Sequence, residues 1–413
     1  MIDEEIKKKL KDLLNQKEKE PTKKIDELCK ENSFTRYRQK KDVSWGKRNP
    51  NNNESHWDNL NLDEYVSNKP VLVCLGGTAT KKEKEANGIC KMVEGLLELM
   101  FKVKDFDIKA EDKVDIISCI YGFDIKYLFY LNDDEVKKMY PNLKEYAKKF
   151  PEAVKTTPQN AFLDSNTAQQ FVKNMLLSRC LDKKGNKLPI DECQRNIAQV
   201  IFFSYCFGTK ALNLIMDNFY KLLSQNNFNN KEIEKITSSM SHISFARLKY
   251  TRKIPTTYFY AVNDYDLPVM YPLLSKMKFS KSQLETRLSK KGESTFGQKI
   301  LKDVYDKETN AEALEFAYIG IEKDKIADKN NQDVEHYLSN LRRNKDWDIV
   351  NKKDEIYNAI SQMMSWSLCR AVENGLDNAN SDKYVPKIPM VQLKDELMDI
   401  YKSFSKEDLM TKQ

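Results

Sequence analysis

The sequence predicts an α/β protein whose mostly parallel sheet is covered by helices on both faces. Short apolar runs rich in β-branched residues alternate along the chain with segments of helical periodicity. The runs are continuously apolar rather than alternating with polar residues, which is typical of strands buried on both faces. Their order is largely strand, helix, strand, and we find no internal repeat. One doubly covered domain with helical insertions therefore fits the chain best.

Composition narrows the classes of function. Hydrophobic residues make up 40% of the 413 residues and charged residues 32%, which indicates a folded protein with a heavily solvated surface. The 69 basic and 62 acidic residues are interspersed, so no one-sided basic stripe predicts a nucleic-acid partner. The 8 cysteines form no CxxC pair and there are only 3 histidines, so we expect no disulfide scaffold, metal or cofactor.

Residues 1–66 are predicted to form a charged helical N-terminal appendage. Ile6, Leu10, Leu13 and Leu14 follow helical spacing, which indicates a solvated helix before a loose connector; a protein partner bound through this appendage is left open. The first residues carry no secretory signal, and no apolar run is long enough to span a bilayer. We therefore predict a cytoplasmic protein without stable membrane insertion, while export by a route that leaves no such signal stays open.

The main domain is predicted to span residues 67–380. Residues 70–75 form the first strand, which ends at Gly76-Gly77-Thr78, and a helix with apolar residues at three and four spacings follows it. Residues 124–198 are predicted to be a helical cap insertion, and a second, charged helical insertion spans about residues 272–306. The other strand candidates are residues 114–121, 200–203, 242–248, 256–262 and 314–321. Helices are predicted over about residues 352–375 and 391–403, the latter within a C-terminal tail helix at residues 381–413.

In a parallel sheet, ligands gather at the carboxyl ends of strands, so candidate site residues are expected just past each strand. Residues 204–208 join a strand directly to a helix. A nucleophile on a very sharp strand-to-helix turn needs small residues two places before and after it, and Ser204 and Gly208 flank Cys206 in this way. The helix N-terminus would favour the thiolate. The alternative is that Cys206 is one more buried thiol. Ser204 as nucleophile would be flanked by the bulkier Phe202, which fits worse.

Two further residue types complete a candidate triad. Asp264 and Asp266 follow a strand candidate and are placed to orient an imidazole, although an Asx turn would use the same residues. His336 follows the last strand candidate and is of the residue type that activates a thiol near neutral pH. Nucleophile, acid and histidine thus follow three separate strands in that order.

This arrangement resembles the α/β-hydrolase superfamily, whose members carry a nucleophile elbow and the same order of triad residues. The resemblance covers about residues 69–345, implies an eight-stranded, mostly parallel sheet, and favours Asp264 as the acid. Leu75-Gly76-Gly77-Thr78 is similar to the loop that supplies one oxyanion-hole amide, here Gly77 or Thr78, and Phe207 would supply the second. Cysteine at the elbow resembles dienelactone hydrolases and polyhydroxyalkanoate synthases.

The resemblance implies acyl chemistry on an ester, thioester or amide through a thioacyl-enzyme, by hydrolysis or by transfer to another acceptor. A small-molecule or acyl substrate is the expected partner. The alternative is a catalytically inactive hydrolase-like protein that serves in binding or as a scaffold. The substrate, the choice between hydrolysis and transfer, and the oligomeric state are left open by the sequence.

Overall fold

The computed structural model describes residues 44–52, 56–67, 69–77, 80, 83–103, 110–121, 166–206, 208–245, 254–261, 285–289, 312–318 and 355–410. The strands within these residues join in one sheet of nine strands. They are β1 (Ser44–Arg48), β2 (Trp57–Asn59), β3 (Val71–Leu75), β4 (Asp115–Ile120), β5 (Val200–Tyr205), β6 (Ser241–Phe245), β7 (Thr256–Ala261), β8 (Glu285–Ser289) and β9 (Ala313–Tyr318). The predicted α/β fold class is confirmed.

The strand order across the sheet is β2-β1-β4-β3-β5-β6-β7-β9-β8. The run from β4 to β9 is parallel throughout, and all six of its strands coincide with the apolar runs that predicted them. The chain winds from β3 outward to β4 on one side and then returns to add β5 on the other. Parallel sheets open a crevice at the carboxyl ends where the winding direction changes, so the ends of β3 and β5 are where a site is expected.

Three strands were not predicted from the sequence. The strands β1 and β2 lie within the predicted N-terminal appendage, yet β1 pairs antiparallel with β4, so this part of residues 1–66 belongs to the sheet. The strand β8 lies within the second predicted helical insertion and pairs antiparallel with β9. The apolar-run criterion missed all three because they are edge or near-edge strands that carry charged residues, such as Lys47 and Arg287.

Helices cover both faces of the sheet. They are α1 (Glu83–Val103), α2 (Ala110–Lys113), α3 (Asn166–Phe171), α4 (Ile190–Ala198), α5 (Gly208–Gln225), α6 (Asn230–Ser238), α7 (Glu355–Ala379) and α8 (Met390–Met410). A π-helical turn at Val172–Leu176 and a 3₁₀ turn at Leu177–Cys180 separate α3 from α4. The helices α7 and α8 confirm the two helices predicted near the C-terminus.

The core is divided between the two faces by strand alternation. Leu72 and Ile201 belong to an apolar cluster that also contains buried residues of α1, α7 and α8. On the opposite side of the sheet, Trp45 of β1 stacks on Phe171 with ring centroids 4.1 Å apart. Through this contact the antiparallel strand β1 packs against α3. Among the described residues, none of the helices combines the length and the apolarity that crossing a membrane requires.

Candidate active site

The junction between β5 and α5 is a sharp turn at Cys206. Tyr205 ends the strand, Gly208 begins the helix, and Cys206 has a φ of 51°. Positive φ is uncommon for a residue with a side chain and costs conformational free energy, so it persists only where the surroundings impose it. The turn that the spacing of Ser204 and Gly208 predicts is therefore present.

Backbone contacts hold Cys206 in this conformation. Its N–H donates to the carbonyl of Phe245 at the end of β6, with a nitrogen-to-oxygen distance of 3.2 Å. Its carbonyl accepts from both the N–H and the hydroxyl of Thr209, at 3.3 Å and 2.7 Å. Both backbone polar groups of the strained residue are thus satisfied by neighbouring elements, which offsets the cost of its φ.

Gly208 is required because α5 begins against the end of β3. A Cβ at this position would lie 2.0 Å from the carbonyl oxygen of Leu75 and 2.7 Å from its carbonyl carbon. These are backbone atoms of a central strand, which cannot move aside at low cost. The need for a small residue two places after Cys206 is therefore steric, as the motif predicts.

The loop after β3 brings Gly77 against the cysteine. A Cβ on Gly77 would lie 3.5 Å from the Cβ of Cys206 and 3.2 Å from the Tyr205 ring. The loop is fixed to the end of β4, because the Tyr121 hydroxyl donates to the Gly76 carbonyl at 3.0 Å and the Tyr121 N–H donates to Thr80 at 2.9 Å. Gly77 and Cys206, which come from different parts of the chain, thus lie side by side; the role of Gly77 in an oxyanion hole stays a prediction.

The surroundings of Cys206 are largely desolvated. Cys206 itself is 6% exposed, and Tyr121 beside it is fully buried. Burial raises the pKa of the Tyr121 hydroxyl, and the nearby thiols of Cys119 and Cys206 act in the same direction. Electrostatic interactions at this end of the sheet are therefore only weakly screened by water.

Beneath the turn, a chain of hydrogen bonds that sequence reasoning missed crosses three strands. The Thr256 hydroxyl donates to the Ile254 carbonyl at 3.0 Å, so it accepts from Nδ1 of His242 at 2.9 Å. Nε2 of His242 is then left to accept from the Ser204 hydroxyl at 2.7 Å. Burial lowers the pKa of His242 to about 3, which keeps its ring neutral. Ser204 and His242 are both buried inside the sheet, so this pair anchors the strands below Cys206.

Other predicted site residues lie outside the described residues. They are Thr78, Phe207, Asp264, Asp266 and His336. Their roles stay predictions. Among the described residues, no group of three or more His, Cys, Asp or Glu side chains is arranged to hold a metal ion, and the seven cysteines form no disulfide.

No protein-family model matches the chain, and no curated protein sequence is similar to it. The mixed, mostly parallel sheet with helices on both faces is compatible with an α/β-hydrolase-like fold. The architecture therefore indicates a fold class and not an activity.

Proposed function

We propose that this chain is a cysteine-dependent acyl hydrolase or acyltransferase, with Cys206 as nucleophile. The observation that carries the proposal is the positive φ of Cys206 at a strand-to-helix junction beside the place where the sheet changes its winding direction. Such a turn presents a nucleophile at the carboxyl end of a parallel sheet, next to the N-terminus of the following helix. The strain at Cys206 is then part of how the thiol is positioned.

The chemistry proposed follows from the residue types. His336 takes the thiol proton of Cys206, and the sulfur attacks the carbonyl carbon of an ester, thioester or amide. The tetrahedral intermediate collapses to a thioacyl-enzyme as the imidazolium returns its proton to the leaving group. Water or another acceptor then attacks the thioester, and Asp264 orients the imidazole throughout.

Oxyanion stabilisation is proposed for the backbone amides of Gly77 and Phe207, with Thr78 as the alternative to Gly77. Support comes from the approach of Gly77 to Cys206, which brings the backbone of this loop close to the cysteine side chain. The desolvated setting of the cysteine adds to this support, because hydrogen bonds to a developing negative charge are stronger where water is excluded.

A second candidate function is binding without catalysis, as an inactive hydrolase-like module. The observation in its favour is the low exposure of Cys206, since only 6% of this residue is accessible to a substrate. Reactivity of the thiol therefore discriminates between the two functions.

The test is mass spectrometry of the intact protein after brief exposure near neutral pH to a limiting amount of 4-nitrophenyl acetate. We expect a single acetyl adduct that maps to Cys206, is released by neutral hydroxylamine as a thioester, and is lost in Cys206→Ala and His336→Ala. Cys369→Ala, which removes another buried thiol, is the matched control and should label normally. Labelling spread over several cysteines, or unchanged in His336→Ala, would refute the catalytic assignment and favour the binding function.

A further inference from the structure

Tyr121 follows directly after β4 and lies beside the turn at Cys206. Its side chain is fully buried, and the Cys206 thiol is near enough to act on its ionisation. Strand β4 pairs with β3, so the end of β4 reaches the loop that leaves β3. A buried tyrosine hydroxyl usually finds a hydrogen-bond partner, and Tyr121 donates to that loop.

Two hydrogen bonds join Tyr121 to the loop. Its hydroxyl donates to the Gly76 carbonyl at 3.0 Å, and its N–H donates to the Thr80 carbonyl at 2.9 Å. The Thr80 N–H in turn donates to the Gly77 carbonyl at 3.2 Å, which closes the loop into a turn. One residue at the end of β4 therefore holds both ends of the loop that brings Gly77 beside Cys206.

Packing fixes the position of Gly76 within this loop. A Cβ on Gly76 would lie 2.1 Å from Oγ1 of Thr80 and 2.3 Å from Cδ1 of Ile89 on α1. Thr80 itself is 2% exposed, so this side of the loop is enclosed by protein. Packing thus sets where Gly76 lies, and the hydrogen bond from Tyr121 sets how its carbonyl is turned.

The hydroxyl of Tyr121 acts on the peptide group that joins Gly76 to Gly77. A peptide group is planar, so its carbonyl and its N–H cannot rotate independently. Holding the Gly76 carbonyl therefore fixes the direction of the Gly77 N–H, the amide proposed as an oxyanion-hole donor. Donation to the carbonyl also polarises the peptide group, which makes its N–H a stronger donor.

We propose that Tyr121 is a positioning residue for acyl chemistry at Cys206, whose hydroxyl orients the Gly77 amide through the Gly76 carbonyl. The inference rests on the proposed function and adds a residue that acts through the backbone without touching the substrate. Burial raises the pKa of the Tyr121 hydroxyl, so it stays protonated near neutral pH and remains a donor.

Two reactions at the same sulfur separate this role from a merely structural one. When the Cys206 sulfur attacks 4-nitrophenyl acetate, a carbon–sulfur bond forms and the carbonyl electron pair moves onto oxygen, and 4-nitrophenolate then leaves. When the sulfur attacks iodoacetamide, iodide leaves a saturated carbon and no oxyanion forms. A residue that serves the oxyanion hole affects only the first rate, whereas one that serves the thiol or the fold affects both.

The experiment measures both rates at Cys206 in the full chain near neutral pH, by intact mass spectrometry and peptide mapping. Tyr121→Phe keeps the ring and removes only the hydroxyl. We expect acetylation to be about tenfold slower, because the amide loses its orientation but not its place. Alkylation should stay within about twofold of the unaltered chain, because the thiol is unchanged.

Tyr220→Phe is the matched control. It removes a tyrosine hydroxyl that contacts Thr237 at 3.0 Å, and it lies about 18 Å along α5 from Gly208. Neither rate should change in this variant. Circular dichroism establishes that each variant folds.

If Tyr121→Phe does not fold, 3-fluorotyrosine in place of Tyr121 gives the test, because fluorine makes the hydroxyl a stronger donor. Acetylation should then be about twofold faster with alkylation unchanged. No gain in acetylation would overturn the inference.

The outcomes distinguish this inference from the proposed function. Acetylation of Tyr121→Phe at the rate of the unaltered chain, or an equal loss of both rates, would overturn the role of Tyr121 and leave Cys206 as the nucleophile. No acetylation of Cys206 in the unaltered chain would refute the proposed function, and this inference with it. Slower acetylation alone would support Tyr121 and favour Gly77 over Thr78 as the donor.

Discussion

The two ends of the parallel sheet differ in what defines their structure: backbone conformation at the carboxyl end and side chains at the amino end. At the carboxyl end, the turn at Cys206 is defined by backbone: a positive φ, two satisfied backbone polar groups, and glycines that admit close approach. At the amino end, a cavity of about 430 Å³ where β6 and β7 begin is defined by side chains, among them the buried His242 ring and the charged groups of Arg370 and Glu373. An added methyl group should therefore destabilise the turn at the carboxyl end, whereas a changed charge should destabilise the amino end.

The largest effect is expected for Gly208→Ala at the carboxyl end. The added Cβ would meet the Leu75 carbonyl at 2.0 Å, so we expect a loss of roughly 3 kcal/mol or more in the free energy of unfolding. Urea denaturation measures this loss. Gly185→Ala is the matched control: it also introduces a Cβ, at a φ of 82° but in open space, and should cost only about 1 kcal/mol. Equal losses for the two variants would contradict the steric explanation.

The next effect concerns pH. His242 has a pKa of about 3 in the folded state, below its ordinary value of 6.5, so between these values the unfolded state binds one more proton. Stability is fully present above pH 6.5 and should fall by about 1 kcal/mol per pH unit as the pH decreases from 6 to 4. The slope of unfolding free energy against pH should be shallower by that amount in His242→Asn.

His56→Asn is the control for this slope. His56 is exposed and has a φ of 54°, a conformation that asparagine tolerates, so the replacement removes a histidine without adding strain. A slope that becomes shallower in His242→Asn but not in His56→Asn would assign the effect to the buried ring. A slope unchanged in His242→Asn would mean that the buried network from Ser204 to Thr256 does not contribute to acid sensitivity.

Strain at Cys206 can be measured directly. Cys206→Gly removes the side chain but relieves the positive φ, whereas Cys119→Gly removes the same side chain from within β4. We expect Cys206→Gly to be less destabilising than Cys119→Gly by about 1 kcal/mol in urea unfolding. If both cost the same, the conformation at the turn stores no strain.

The sequence predicted the turn at the carboxyl end of the sheet but not the cavity at its amino end, and the reason is physical. The turn at Cys206 is local: five consecutive residues contain the strand end, the small neighbours and the start of the helix. The cavity depends on Ser241 and Asn374, which lie 133 positions apart, so no short pattern indicates it.

Central strands and edge strands of the sheet also differ in how well the sequence predicts them. Continuous apolar runs such as Val71–Leu75 reveal strands buried on both faces, whereas Ser44–Arg48 carries charges because it lies near the edge. The role of His242 was missed because only the register, which pairs it with Phe202 and Thr256, places its ring beside Ser204. A polar residue at the start of an apolar strand is the one signal that could have drawn attention to it.

The pairing of β3 with β5 has a consequence for synthesis of the chain. Val71 pairs with Val200, so 128 residues must be translated between the two halves of this central ladder. At ordinary elongation rates this interval lasts about ten seconds. During that time the side of β3 that later pairs with β5 has no partner strand. Ribosome pausing within residues 76–199 would lengthen that exposure and favour aggregation before the ladder closes.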